Sequence, residues 1–252
     1  MQITHEQYER IADCFPIQRG NVRFDNLQVL NAILYVAEHG CKWRGLPKSF
    51  GNWHSIYTRM NRWSKKGVLD RIFERLQKEQ LIRIKIEAVS LDSTSIKVRP
   101  GRFWRFKKTG QQSIGKSRGG WTTKLHLAAA NAECALIFSL SPGNAGDAPE
   151  GRKLLSALGP TNKKCGVIMD RAYEGNATQQ LCRDLGYFPV VPPNPNRLKP
   201  WVYDKELYKK RNEVERLFRR IKGFRRVFTR YDKLDVMFLS FIVFALIVVA
   251  LK

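Results

Sequence analysis

The sequence is short of acidic residues. Only 22 Asp and Glu oppose 45 Lys and Arg among 252 residues, which leaves a formal net charge of +23. This excess goes far beyond what solubility requires, and it indicates a polyanionic partner, with nucleic acid as the default. An anionic membrane surface would attract the same charge, but the basic residues are spread over several segments and are not concentrated beside one anchor.

Membrane and export signals are also lacking. The C-terminal run FLSFIVFALIVVAL has 14 apolar or small residues, fewer than the roughly 18 to 20 that a spanning helix needs, so we expect a buried closing helix or strand. The N-terminal stretch MQITHEQYERIADCF has no apolar region typical of a signal peptide. The five cysteines form no C-x-x-C pair, which favours reduced thiols. These features predict a cytoplasmic, nucleoid-associated protein without a membrane partner.

Residues 1–86 have helical patterns. Thr4 and Gln7 can form a capping box, and a helix is predicted over DNLQVLNAILYVAEHG, with Gly40 at its end. After the turn CKWRGLPKSFG, the segment NWHSIYTRMNRWSKKG is predicted to be the second helix of a helix-turn-helix-like pair. This helix carries three candidate DNA-binding residues: Arg59, Arg62 and Lys65. A helical bundle with a solvated basic face is the alternative.

From residue 87 onward, predicted strands alternate with helices. The five predicted strands are EAVSLDSTSIKV, WTTKLHLAAA, ALIFSLSPG, KCGVIMD and YFPVVPP. Helices are predicted over APEGRKLLSAL, NATQQLCRDLG and YKKRNEVERLFRRIK. This order indicates a mixed α/β sheet, and we divide the chain into a small all-α domain, 1–86, and an α/β domain, 87–252.

Two aspartates are conspicuous in the predicted strands. Asp92 lies within VSLDSTSI, among strand-forming residues that normally exclude an acid; a turn beginning at Asp92 is the alternative. Asp170 ends the apolar run GVIMD, at the carboxyl edge of a predicted central strand, where open α/β sheets bind ligands. Capping of the following helix is the alternative for Asp170.

A third acidic candidate lies in the basic stretch YKKRNEVERLFRRIK. On a helical wheel, the apolar residues form one stripe, which contains Leu207, Val214, Leu217, Phe218 and Ile221. A second stripe beside it contains Tyr208, Arg211, Glu215 and Lys222. Glu213 points away and is interpreted as a solvated ion-pair residue. Glu215 is therefore the acid that can reach a site shared with the two aspartates.

Three converging carboxylates would repel one another unless cations lay between them. Oxygen ligands without His or Cys suit Mg²⁺ or Mn²⁺, and two such ions about 4 Å apart can promote displacement at a phosphodiester. We therefore predict a catalytic and metal-binding set, Asp92, Asp170 and Glu215, that holds two Mg²⁺ or Mn²⁺ ions.

These residues resemble the DDE transposases of bacterial insertion sequences. The family signature Y-x2-R-x3-E-x6-K matches Tyr208, Arg211, Glu215 and Lys222 at every spacing. Asp170 with the following residues RAY resembles the second motif of the family, and LDST around Asp92 resembles the first. The segments IGKSRGGWTTKLHL and GCKWRGLPKSFGNWHSIYTRMNRWSKKGV are similar to those of the IS-five-like group.

The resemblance implies an RNase H-like fold, a mixed five-stranded sheet of order 3-2-1-4-5 flanked by helices, with strand 2 antiparallel. It implies that Asp92 bridges two metal ions and that Asp170 and Glu215 each hold one. It also implies that Tyr208, Arg211 and Lys222 contact phosphates of double-stranded DNA.

The implied reaction is cleavage at the terminal inverted repeats of the element, followed by attack of the freed 3′-hydroxyl on target DNA. A homodimer that pairs two transposon ends is the expected assembly. The alternatives are a catalytically inactive DNA-binding relic and an RNase H-like nuclease without strand transfer.

One segment departs from the family pattern. Residues 99–108, RPGRFWRFKK, are bulky and basic where relatives usually have a small acidic turn. We predict a mobile loop over the DNA; a locally altered, weakly active copy of the element is the alternative.

Overall fold

The computed structural model of the protein describes residues 1–18, 24–99 and 110–252. The described residues form two compact units: 1–78 with 110–112 and 221–252, and 79–99 with 113–220. The predicted DNA-facing loop, 99–108, lies almost wholly outside the described residues and stays a prediction. The division into domains at residue 86 also stays a prediction, because compact packing does not establish which segments act separately.

The helices, in chain order, are α1 (His5–Glu9), α2 (Asn26–His39), α3 (Trp53–Lys65), α4 (Val68–Arg83), α5 (Asp147–Leu158), α6 (Asn176–Asp184), α7 (Lys205–Tyr208), α8 (Asn212–Lys222), α9 (Arg225–Phe228) and α10 (Asp235–Ala250). The strands are β1 (Ala88–Val98), β2 (Gly115–Ser117), β3 (Gly120–Ala129), β4 (Ala135–Pro142), β5 (Cys165–Met169), β6 (Tyr187–Val190) and β7 (Thr229–Arg230). All five predicted strands are present, whereas the short β2 and β7 were not predicted.

The first unit is built from helices whose ends follow local signals. Thr4 and Gln7 form the predicted capping box at α1, and α2 ends at Gly40 in the left-handed conformation, with φ of 65°. Two 3-10 turns, Trp43–Gly45 and Lys48–Phe50, lie between α2 and α3. This connection is longer than the three or four residues of a typical helix-turn-helix, so a helical N-terminal region is established and its mode of DNA contact stays a prediction.

Helix α10 is the buried closing helix of this unit. Its residues are buried almost throughout, and Ser240 Oγ donates a hydrogen bond to Ser64 Oγ of α3 at 2.6 Å. The fully buried Arg230 donates to Asp235 at the start of α10, at 2.6 Å. At 16 residues α10 is too short to span a bilayer, and no helix among the described residues is long and apolar enough to do so.

The second unit contains a mixed sheet of order β4-β3-β1-β5-β6, with β2 paired to the start of β3. Strand β1 is antiparallel to β3 and parallel to β5, and β5 is parallel to β6. This topology matches the expected order 3-2-1-4-5 with an antiparallel second strand, so the predicted RNase H-like fold is confirmed. The proline-containing β6 lies at the edge of the sheet, as expected for a strand with a missing donor.

The two faces of the sheet pack against different helices. Val89 and Leu91 of β1 belong to a core that includes Leu154 of α5 and Cys182 of α6. Ala88 belongs to a second core, whose residues include Ile168, Leu207 and Tyr208. Because side chains alternate along a strand, Asp92 points to the same face as Ala88, toward the segment that carries the predicted signature.

Candidate active site

Asp92 and Asp170 lie side by side at the centre of the sheet. The last aligned pair of the parallel strands β1 and β5 is Leu91 with Met169. Asp92 is the next residue of β1, and Asp170 is the first residue after β5. Neighbouring strands are about 4.8 Å apart, so the two carboxylates leave adjacent backbones. The alternative of a turn at Asp92 is wrong, because β1 continues to Val98.

The Asp170 carboxylate caps the 3-10 turn that follows β5. Its Oδ1 accepts a hydrogen bond from the backbone N–H of Ala172 at 2.8 Å. The capping role considered from the sequence is therefore present. A carboxylate has two oxygens and several lone-pair sites, so this bond leaves capacity for a further ligand.

The segment that carries the third acid is not one continuous helix. The predicted helix over residues 208–222 consists of the end of α7, a 3-10 turn from Lys209 to Arg211, and α8. The ψ angles around this turn, −28° at Tyr208 and −20° at Asn212, fit the tighter 3-10 geometry. The predicted apolar stripe is nevertheless buried in α8 at Val214 and Leu217.

Arg211 links two of the predicted catalytic acids. Its Nη1 donates to Glu215 Oε1 at 2.7 Å, and its Nη2 donates to Asp92 Oδ2 at 3.2 Å. One guanidinium thus brings a strand carboxylate and a helix carboxylate together. The Nε of Arg211 is buried and has no hydrogen-bond partner among the described residues.

The three carboxylates also act on one another electrostatically. Burial raises the pKa of Asp92 to about 6, and the charges of Asp170 and Glu215 push in the same direction, while the Ser93 N–H and Arg211 oppose the shift. The carboxylates of Asp92, Glu215 and Asp170 raise the pKa of Arg211 although burial works against its charge. Within the described ranges no three His, Cys, Asp or Glu side chains are arranged as a ready metal site; instead, Arg211 supplies the positive charge.

Glu213 is less solvated than predicted. It pairs with Arg216 at 3.2 Å, as expected, but its other oxygen accepts the backbone N–H of Ala132 at 3.0 Å, in the turn between β3 and β4. Arg220 pairs with Glu133 and not with Glu213. Glu213 therefore stabilises the turn between β3 and β4. Among the described residues, it forms no hydrogen bond with Arg211 or Asp92.

The remaining signature residues lie on the same segment. Tyr208 is half-buried, and burial raises its pKa, with the charge of Asp170 adding to the shift. Lys222 is the last residue of α8, and burial lowers its pKa.

The three predicted DNA-binding residues of α3 differ in environment. Arg62 and Lys65 are exposed. Arg59 is half-buried: it donates to the carbonyl oxygen of Phe24 at 2.7 Å, and its Cζ lies over the Trp63 ring, 5.7 Å from the ring centroid. Arg59 thus has a structural role that the sequence did not reveal, and DNA contact by Arg62 and Lys65 stays a prediction.

One acid near the site, Asp147, was not predicted from the sequence. It begins α5 and contacts Ser93, the residue after Asp92, at 2.7 Å. The only signal is an acid in the first turn of a predicted helix, where a negative charge is favourable for any helix. Such a signal does not distinguish an acid that only stabilises the start of a helix from one that also accepts a hydrogen bond from a neighbouring strand.

Replacing Asp92 by asparagine should stabilise the metal-free protein at neutral pH. Because its pKa is raised from 3.8 to about 6, folded Asp92 holds its proton more tightly than in the unfolded chain, and its ionisation lowers stability. The gain should be on the order of 2–3 kcal/mol above about pH 6, and it should vanish as the pH falls toward about 4. Urea unfolding with a chelator checks this; a gain that is independent of pH would contradict it.

Comparison with known families gives two matches along the chain. A model described as "Transposase DDE domain" matches residues 83–249, and one described as "Putative transposase of IS4/5 family" matches residues 3–73. A Brucella ovis protein, "Putative transposase for insertion sequence element IS6501", is 31% identical over 122 residues, covering 48% of this chain and 92% of the relative. An uncharacterised Sinorhizobium fredii protein, y4sN, is 33% identical over 99 residues, covering 38% and 75%.

Among solved structures, the chain is similar to a piggyBac transposase synaptic complex with hairpin DNA. The TM-score is 0.55 at 9% identity, with 99% of this chain and 72% of that chain covered. At such low identity the likeness concerns the fold alone.

Proposed function

The chain belongs to the DDE transposases of insertion sequences, and on that premise we propose that it cleaves DNA at terminal inverted repeats and transfers the 3′-hydroxyl ends to target DNA. The observation that carries the proposal is the bridge from Arg211 to both Asp92 and Glu215. It gathers two of the three proposed catalytic acids around one cation, and the charge of Asp170 acts on the same group.

The donor set fits a divalent cation. Asp92, Asp170 and Glu215 offer carboxylate oxygens, the ligands that Mg²⁺ and Mn²⁺ prefer, and we propose that these three hold the metal, as two ions. When bound, the ions would activate the attacking oxygen and stabilise the leaving oxygen of a phosphodiester. The pKa of Asp92 supports this assignment: burial raises it, the charges of Asp170 and Glu215 add to the shift, and the single charge of Arg211 does not offset them, so further positive charge would be favourable at this point.

We propose a further role for Arg211, in which it exchanges its carboxylate partners for a DNA phosphate. Its guanidinium neutralises Asp92 and Glu215 without a metal, and it carries five N–H donors. A DNA phosphate matches this planar group well. We propose that Arg211 turns to a phosphate when DNA binds, which releases carboxylate oxygens, and that Tyr208 and Lys222 contact phosphates of the same duplex.

A synaptic complex needs two transposon ends, so we propose a homodimer on double-stranded DNA. The N-terminal helices would supply recognition of the ends through Arg62 and Lys65. Their exposure on α3 and the basic character of the surrounding sequence support this part of the proposal.

The test is an assay with labelled duplexes that carry the inverted repeats flanking the reading frame, supplied with Mg²⁺ and a target plasmid. We expect 3′-end nicks followed by joined products, both abolished by EDTA. Nicks without joining would support a nuclease without strand transfer. Retarded but uncut DNA would support a catalytically inactive relic.

A further inference from the structure

A polar cluster lies beside the proposed active site, on the opposite face of the sheet. It consists of Ser93 of β1, Lys124 of β3 and Asp147 of α5, and we call it the Asp147 cluster. Ser93 Oγ donates to Asp147 Oδ1 at 2.7 Å. Lys124 Nζ donates to both oxygens of Asp147, at 3.0 and 3.1 Å, and to the carbonyl oxygen of Ala145 at 2.8 Å. Two strands are thus tied to the start of one helix.

This cluster is joined directly to Asp92. Ser93 follows Asp92 in β1, and its backbone N–H donates to Asp92 Oδ1 at 2.8 Å. The side chain of Ser93 points to Asp147 while its N–H holds Asp92. A shift of Ser93 would therefore move the donor that orients the Asp92 carboxylate.

The same helix also contacts the turn after Asp170. Gly151, one turn beyond Asp147, lies against the ring of the buried Tyr173, and a Cβ at position 151 would approach Tyr173 Cε1 to 2.5 Å. Tyr173 ends the 3-10 turn that Asp170 caps. The first half of α5 thus touches the chain just after each of the two aspartates.

We propose that Asp147 is a positioning residue for the metal-binding carboxylates. Through Ser93 and Lys124 it holds β1 and β3 against α5, and so it fixes Asp92 relative to Asp170. The proposal rests on the proposed function, because the carboxylates must be aligned for a divalent cation.

The charges of the cluster favour a geometric role over an electrostatic one. The side chains of Asp147 and Lys124 are only 21% and 17% exposed, and they neutralise each other, so the pair adds little net field at Asp92. A largely buried ion pair contributes little to stability in comparison with apolar residues of similar size. The cluster therefore supplies directional hydrogen bonds that hold β1 at Ser93, the residue next to Asp92.

The experiment measures Mn²⁺ binding by electron paramagnetic resonance of the free ion, on the full-length protein without DNA. Ser93→Ala should weaken Mn²⁺ binding about tenfold, the size expected when a partner behind a metal ligand is lost, with the melting temperature and DNA binding nearly unchanged. Ser93→Thr, which keeps the hydroxyl, should bind Mn²⁺ like the wild type. Asp147→Asn should weaken binding in the same direction and serves if Ser93→Ala folds poorly.

Ser240→Ala is the matched control. The Ser240 hydroxyl in α10 also donates a hydrogen bond to a side-chain oxygen, to Ser64 Oγ at 2.6 Å, but among the described residues it is not hydrogen-bonded to Ser93, Lys124 or Asp147, so Mn²⁺ binding should stay at the wild-type level. Wild-type Mn²⁺ affinity in both Ser93→Ala and Asp147→Asn would overturn the proposal.

A second readout separates this inference from the proposed function. Hydrogen exchange of the residue-93 amide, measured without metal, reports the bond to Asp92 directly. If the wild type binds no Mn²⁺, the proposed function fails, and amide exchange alone decides the inference. Faster exchange in Ser93→Ala and Asp147→Asn would support it, and exchange equal to the wild type would overturn it.

Discussion

Replacing Glu215 by glutamine should reduce cleavage of a transposon-end duplex by about a thousandfold or more. A bound metal contributes several kcal/mol to stabilisation of the transition state, and each 1.4 kcal/mol or so is a factor of ten in rate. The amide keeps the volume of the side chain and can still accept the hydrogen bond from Arg211. Binding of the duplex, measured by electrophoretic mobility shift with EDTA, should therefore remain nearly intact.

Glu213→Gln is the matched control, since it makes the same chemical change two residues away. The amide oxygen can still accept the N–H of Ala132, which Glu213 binds at 3.0 Å, and the change removes only the ion pair with Arg216. Most of the cleavage activity should remain. Equal losses of cleavage activity in the two variants would contradict the assignment of Glu215 as a metal ligand. They would indicate that both substitutions disturb the fold of α8.

The sequence was sufficient for the positions of the carboxylates but not for their partners. Asp92 could be assigned to the interior of one strand and Asp170 to the carboxyl end of another because the β-branched and apolar runs around them are distinctive, and the family resemblance implied that these two strands are neighbours. The Arg211 bridge was not predicted, because helical periodicity places Arg211 near Glu215 but gives no information on a strand 119 residues away along the chain. The bond of Glu213 to Ala132 was missed for the same reason.

The fold shows the same division between local and long-range information. The capping box of α1 and the left-handed Gly40 after α2 are local signals, and both were predicted. The 3-10 turn at Lys209–Arg211, which separates α7 from α8, was not predicted, because a helical wheel assumes one continuous helix. Nor was the grouping of residues 221–252 with residues 1–78 in one compact unit, since the uniformly apolar α10 carries no periodicity that identifies its neighbours.

This grouping also determines how DNA recognition should be tested. Deleting residues 1–86 would remove α3, whose Ser64 is bonded to Ser240 of α10, and it would remove α2, which ends beside Arg225 of α9 at Gly40. Loss of end-specific binding in such a truncation would then follow from unfolding as readily as from loss of contacts. Point substitutions on the exposed part of α3 avoid this ambiguity.

Affinity for transposon-end DNA should fall by about five orders of magnitude between roughly 50 and 200 mM salt. The net charge of +23 favours extensive phosphate contact, and about ten contacts would release enough counterions to give a slope near −9 in log K against log salt. Fluorescence anisotropy of a labelled duplex across a salt series, with a chelator present, measures this slope.

The double substitution Arg62→Ala with Lys65→Ala should reduce the magnitude of the slope by about 2, one for each lost phosphate contact. Lys163→Ala with Lys164→Ala is the matched control, because it removes the same charge from exposed positions just before β5, at the end of that strand remote from Asp170. It should leave the slope nearly unchanged. Equal reductions in both double variants would mean that the basic face of α3 makes no specific contribution, and that DNA is attracted by the net charge of the whole chain.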